Sequence, residues 1–214
     1  MTVAERRLDP VSARRRTAAR AGHTGDVDAA RQLVTDDEAK VRATALGALH
    51  RLAELTSADL VAALADTDPT VRRRACELST TFAGGVGDPP EPAVAAAVAA
   101  LLDDPDTTVI EVAAWATGER PPADAEVVSR LSALATGHDD ALCREAAVAA
   151  LGALGDPAGL AAVLAATTDK ATVRRRAVIA LAPFDGPEVD EALERARTDR
   201  DWQVRQAAED LLTP

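Results

Sequence analysis

Six times along the chain an acidic turn gives way to a run with one order of apolar and polar positions. An apolar anchor comes first, and a small residue follows four positions on. In five of the six runs a Leu stands seven or eight positions after the anchor. The runs read DDEAKVRATALGAL at 36–49, DTDPTVRRRACEL at 66–78, DDPDTTVIEVAAWA at 103–116, DDALCREAAVAAL at 139–151, DKATVRRRAVIAL at 169–181 and DRDWQVRQAAEDLL at 199–212. Their anchors are Val41, Val71, Val109, Cys143, Val173 and Val204, spaced by 30, 38, 34, 30 and 31 residues. Positions i, i+4 and i+7 or i+8 share one face of a 3.6-residue helix, so each run predicts a helix with a buried stripe. The small residue is Ala45, Ala75, Ala113, Ala147, Ala177 and Ala208. Only a side chain of that size lets two helices approach closely.

Shorter apolar helices are predicted between these runs, as in SADLVAAL at 57–64, EPAVAAAVAALL at 91–102 and AEVVSRLSAL at 125–134. Pro and Gly, 12 of each, fall mainly in the gaps and act as punctuation. A period of this length predicts a stacked array of helix pairs. The units lie at approximately 26–53, 57–82, 91–117, 124–153, 157–182 and 187–212. A leading half-unit, DPVSARRRTAAR at 9–20, places Ala13 at the anchor position. Residues 1–8 are then a tail and 9–214 a single all-α solenoid domain. Such arrays offer an extended surface more often than a catalytic pocket.

The charges repeat as well. Asp stands five residues before the anchor at Asp36, Asp66, Asp104 and Asp199. Arg follows the anchor at Arg42, Arg72, Arg144, Arg174 and Arg205, and Arg14 holds the same place in the half-unit. An Asp there caps the free amides of the helix start and suits the positive end of its dipole. Stacked units would bring Asp and Arg into a ladder, in which an exposed pair contributes about 0–1 kcal/mol and a network more.

The helix pairs, the Asp and Arg six residues apart and the Asp68-Pro69 and Asp104-Pro105 turns resemble HEAT repeats. The bacterial HEAT-like group related to phycobilisome-lyase repeats is the nearest in flavour. The resemblance covers about residues 9–212 and implies a right-handed α-solenoid whose second helices line a concave groove. It also implies a non-enzymatic module that presents this groove to a segment of a partner protein. Groove-facing positions would then be two and six after each anchor. At the centre these give Glu111, Trp115, Glu145, Arg175 and Ile179, with Arg73 toward the N-terminal side.

The third unit departs from the pattern. Ile110 stands where the ladder Arg is expected, Trp115 follows on the same helix, and Gly- and Pro-rich stretches at 84–92 and 117–124 flank the unit. An exposed Trp among charges is the usual make-up of a binding hot spot. The alternative is that Trp115 fills a gap between Ala-rich helices of units three and four. For Trp202, beside the last turn, packing or capping is the expectation. Arg triplets at 14–16, 72–74 and 174–176 supply one ladder Arg and two further cations each. They read either as solvated faces or as a surface for an acidic segment or a phosphate-bearing ligand.

Composition narrows the function classes. Aromatics make up only 2% of the residues, so the core must come from close helix packing. The net charge of −11 disfavours bulk nucleic-acid binding, which draws its affinity from phosphate neutralisation. Cys76 and Cys143 fall in predicted helices and read as buried apolar groups, which fits a reducing, cytoplasmic setting. The longest apolar run, AVAAAVAALL at 93–102, is too short to span a bilayer. His23, His50 and His138 show no metal-ligand spacing, and GGVGD at 84–88 lacks the Lys-Ser/Thr of a phosphate loop. No metal, cofactor or membrane is expected, and a monomer is. The repeated His-Glu pairs of HEAT-type di-iron hydroxylases are absent from the sequence. The HEAT-like alkylpurine DNA glycosylases are the enzymatic alternative. Glu111, Trp115, Arg175 and Trp202 echo their inventory, but it needs Arg15, Arg73, Arg74, Arg175 and Arg176 to form one positive stripe.

Overall fold

A computed structural model describes residues 9–82 and 91–212. The tail at 1–8 and most of the Gly-Pro stretch at 84–92 lie outside the described residues. Every regular element described is helical. The chain divides into two compact units, one ending at Phe82 and one beginning at Ala83.

In the first unit, α1 (Pro10–Thr24) is followed by two helix pairs, α2 (Val27–Leu33) with α3 (Ala39–Arg51) and α4 (Ser57–Leu64) with α5 (Pro69–Ser79). In the second, α6 (Pro92–Ala100) pairs with α7 (Thr107–Gly118), α8 (Ala125–Gly137) with α9 (Ala141–Leu154), α10 (Leu160–Ala166) with α11 (Ala171–Ala180) and α12 (Pro187–Ala196) with α13 (Trp202–Leu212). Second helices stack on second helices: α1 on α3 and α3 on α5, then α7 on α9, α9 on α11 and α11 on α13. Both units are thus α-solenoid stacks, as the repeat predicts.

The stripe is buried as its spacing demands. All six anchors are essentially inaccessible, and so are the six Ala residues four positions later. Ala13 is the exception, since it is exposed near the start of α1. Among the described residues no first helix precedes α1 to cover that position.

The Arg–Asp ladder forms with forked geometry. Arg14 donates from Nε and Nη2 to Asp36 at 2.7 and 3.1 Å, and Arg42 reaches Asp66 at 2.9 and 2.7 Å. Arg144 reaches Asp169 at 2.6 and 2.9 Å, and Arg174 reaches Asp199 at 2.8 and 2.7 Å. From Arg42 onward the Nη1 arm of each ladder Arg turns back to its own unit. Arg42 Nη1 donates to the Asp36 and Asp37 carbonyls, Arg72 to Asp66 and Thr67, Arg144 to His138 and Asp139, and Arg174 to Asp169. One guanidinium therefore ties its own turn to the next, the bidentate use for which Arg is suited and Lys is not.

Two corrections concern these acids. The Asp five before the anchor folds the turn: the amides of Glu38, Asp68, Asp106 and Asp201 donate to Asp36, Asp66, Asp104 and Asp199. The helix start is capped two residues further on, by Asp68, Asp106, Asp140 and Asp201, whose side chains accept from Thr70, Thr108, Leu142 and Gln203. In the fifth pair the ladder acid is Asp169, four before its anchor rather than five.

Close approach sets the register between neighbours. Gly22 abuts Ala48, Gly118 abuts Ala150 and Gly152 abuts Ala180, each time nine after one anchor against seven after the next. A Cβ on Gly152 would lie 2.7 Å from the Ala180 Cα, so α9 and α11 would have to separate. On Gly47 the same atom would meet only the tip of Arg74, at 2.7 Å, which can swing away. We therefore expect opposite signs in urea unfolding. Gly152→Ala loses about 1–3 kcal/mol to overpacking. Gly47→Ala gains up to about 1 kcal/mol from helix propensity.

Candidate binding faces

Each unit carries a hollow along its second helices, which is the face the resemblance assigns to the groove. In the second unit the hollow measures about 550 Å³ and lies between α7 and α9, with α11 at its edge. Glu111, Trp115 and Glu119 descend one side of it, on α7 and the turn after it, and Leu142 and Glu145 face them from α9. The spacing i, i+4, i+8 places the first three on one stripe. Trp115 stands 41% exposed, and its indole N–H donates to Glu119 Oε1 at 2.9 Å, which fixes the ring's orientation. Arg176 closes the hollow from α11, its Nε 3.6 Å from Glu145 Oε1. Three carboxylates thus surround one aromatic ring with a single cation among them.

Cys143 is buried and donates from Sγ to the Thr107 carbonyl at 3.3 Å. Burial, with Asp140 and Glu111 nearby, pushes its thiol up to about 11. A thiol so shifted is no nucleophile at neutral pH.

Of the residues singled out from sequence, Glu111, Trp115 and Glu145 come together here. Arg175 and Ile179 do not line the hollow. They sit exposed one turn apart on α11, Ile179 at 39%. Arg73 belongs to the first unit. Glu119 and Leu142 were missed, and Arg176 was named only for a nucleic-acid stripe. Glu119 was within reach as the i+4 neighbour of Trp115, and Arg176 as the third member of its triplet. Trp202 departs from its expected packing role, standing 64% exposed as the first residue of α13.

Beside α7 the ladder changes chemistry on both sides at once. Ile110 takes the Arg position and is buried. His138 stands five before the Cys143 anchor, in the Asp position, and its Nδ1 accepts the Asp140 amide at 3.0 Å. The imidazole keeps the turn-folding role of the missing Asp and drops its charge-pairing role.

The hollow in the first unit measures about 480 Å³ and has the opposite character. Arg15, Lys40, Arg51, Arg73 and Arg74 line it, with Glu77 as the one carboxylate. Glu77 is shared, 2.8 Å from Arg74 and 3.8 Å from Arg73. Arg15 donates to Thr44 at 3.3 Å, and Arg51 to the His23 ring. Burial and the Arg74 charge push the His50 imidazole down. Residues 9–82 hold eleven Lys and Arg against eleven Asp and Glu, whereas 91–212 hold eleven against twenty-two. The whole net negative charge thus resides in the second segment. A positive stripe for nucleic acid does not run along α7, α9 and α11, where Arg176 stands among Glu111, Glu119 and Glu145.

No helix among the described residues is long and apolar enough to cross a membrane. Residues 94–182 match the family model described as HEAT repeats. No curated protein matches the chain. Among solved structures, an engineered protein is similar at 21% identity over 87% of this chain and 95% of that one, with a TM-score of 0.66. A designed armadillo repeat protein in complex with the peptide (KR)4 is similar at 18% identity over 86% and 96%, with a TM-score of 0.61. The Mot1 N-terminal domain in complex with TBP is similar at 18% identity and a TM-score of 0.60, over 83% of this chain and 26% of that one. With its stacked helix pairs and Arg–Asp ladder, the chain is an all-α protein built of solenoid stacks, and its residues 94–182 match HEAT repeats.

Proposed function

We propose that the chain is a non-enzymatic protein-interaction module whose α7–α9–α11 face takes up a segment of a partner protein. The observation that carries this reading is Trp115, half-exposed over a hollow of about 550 Å³ and ringed by Glu111, Glu119 and Glu145. A Trp in that setting offers a large apolar face and attracts cations to its ring, an effect of about 0.5–2 kcal/mol. The surrounding carboxylates select the same charge. The partner segment is accordingly basic, with an apolar side chain to rest beside Leu142. Arg175 and Ile179 extend the face along α11. Arg73 marks a separate face in the first unit. The designed armadillo relative, in complex with (KR)4, and the Mot1 domain, in complex with TBP, support a protein-binding role for folds of this type.

The test is selection of binders from a displayed random-peptide library, followed by titration of synthetic versions. In a Trp202→Phe background, Trp115 is the sole Trp and its fluorescence reports on the site. Selected peptides should be rich in Lys and Arg with an apolar residue between them. Trp115→Ala should weaken their binding at least tenfold, about 1.4 kcal/mol. Equal affinity for wild type and Trp115→Ala would overturn the assignment.

A further inference from the structure

The first unit's hollow demands a different ligand. Five permanent cations, Arg15, Lys40, Arg51, Arg73 and Arg74, converge on it from α1, α3 and α5, and Glu77 is the only carboxylate in its lining. The ladder does not use these cations. Arg14 and Arg42 bind Asp36 and Asp66, which leaves Arg15 with a hydroxyl partner and Lys40 with no ion pair among the described residues. Lys40 and Arg51 lie eleven positions apart on α3, so the charge extends over about 16 Å at 1.5 Å per residue. The apolar side chains in the lining, at Ala19, Ala43 and Ala48, are no larger than a methyl group, and the one aromatic ring, the His23 imidazole, is already engaged by Arg51. No large apolar side chain is there to hold the side chains of a peptide or to enclose a nucleobase. Only charge and guanidinium forks remain, and forks match phosphoryl oxygens two at a time.

We infer that the hollow lined by Arg15, Lys40, Arg51, Arg73 and Arg74 is a binding site for a compact polyphosphate, a ligand with two or more phosphoryl groups held by charge alone. The site is distinct from the Trp115 face and does not depend on it. Recognition resides in the phosphate chain, so a nucleoside attached to it adds little. Like any site built on exposed charge, it weakens as salt shortens the range of attraction, about 10 Å at 0.1 M and 3 Å at 1 M.

Isothermal titration at low salt tests this with four probes: orthophosphate, pyrophosphate, tripolyphosphate and ATP. Tripolyphosphate should bind at least tenfold more tightly than orthophosphate, and ATP about as tightly as tripolyphosphate. The Lys40→Ala, Arg73→Ala double variant should weaken tripolyphosphate at least tenfold. Its circular dichroism and melting should stay near wild type, since neither residue belongs to the ladder. Arg195→Ala, on α12 of the other unit, should leave the affinity unchanged. The inference is overturned by absence of saturable heat with tripolyphosphate, or by equal binding to the double variant. It is also overturned if an oligoglutamate peptide or a DNA duplex binds more tightly than tripolyphosphate.

Discussion

Arg174→Ala lowers the free energy of unfolding by about 3–5 kcal/mol, the range found when one partner of a buried ion pair is removed. Arg174 is 5% exposed and makes three donations at once, two to Asp199 and one to the Asp169 carbonyl. Its loss leaves a largely buried carboxylate with the Asp201 amide as its remaining hydrogen bond. Urea unfolding followed by circular dichroism measures the change, and a loss below about 1 kcal/mol would place the rung with ordinary surface pairs. The ladder also sets the acid limit of the fold. Hydrogen bonds from Arg14, Arg144 and Arg174 hold Asp36, Asp169 and Asp199 below their ordinary value of 3.8. A carboxylate with a lowered folded pKa contributes stability that is complete above its unfolded value and is lost as pH falls through the folded one. Stability should therefore hold from neutrality to about pH 5 and decline below about pH 4. The decline should be shallower in Arg174→Ala, where Asp199 has lost its cation.

Restoring the missing rung tests what was exchanged at Ile110 and His138. Ile110→Arg alone places a guanidinium at a buried position with His138 where the acid would stand, and should cost about 3 kcal/mol or more. His138→Asp alone keeps the turn amide, which an Asp at that place in the other turns also accepts, but it leaves a carboxylate without its Arg and should cost about 1–3 kcal/mol. The double variant should recover much of the loss, with a coupling of about 1–3 kcal/mol in the thermodynamic cycle. Strict additivity would mean that the two positions do not face each other as Arg174 and Asp199 do.

The fold was legible in the sequence because its determinants are local and recur. Anchor, Ala and Arg hold fixed offsets within one helix, and repetition makes each offset visible several times. What escaped depends on where a turn ends or on which side of a helix a neighbour lies. Asp169 was missed because its turn is one residue shorter, which brings the carboxylate to the ladder from position −4. The hollow in the second unit sits between adjacent second helices. Position two of one helix therefore meets position three of the next, as Glu145 meets Arg176 rather than Arg175. The balance between exposure and packing at Trp115 and Trp202 turns on whether a later helix covers them, and a repeat pattern does not encode that. Charge segregation was hidden in a different way, since a total of −11 averages a neutral segment with an acidic one.

The exchange of Arg and Asp for Ile110 and His138 also alters how the second unit should come apart. In an array of nearest-neighbour contacts, each junction has its own response to solvent. Junctions tied by guanidinium forks lose strength in concentrated guanidinium chloride, whose cation competes for the same carboxylates and whose ions screen them. The junction between α7 and α9 rests on apolar burial and is blind to that competition. It resembles a dry mortar line in a wall otherwise held by ionic clamps. Urea and guanidinium chloride should therefore unzip the second unit in different orders, and hydrogen exchange resolved along α7, α9 and α11 would record which seam opens first.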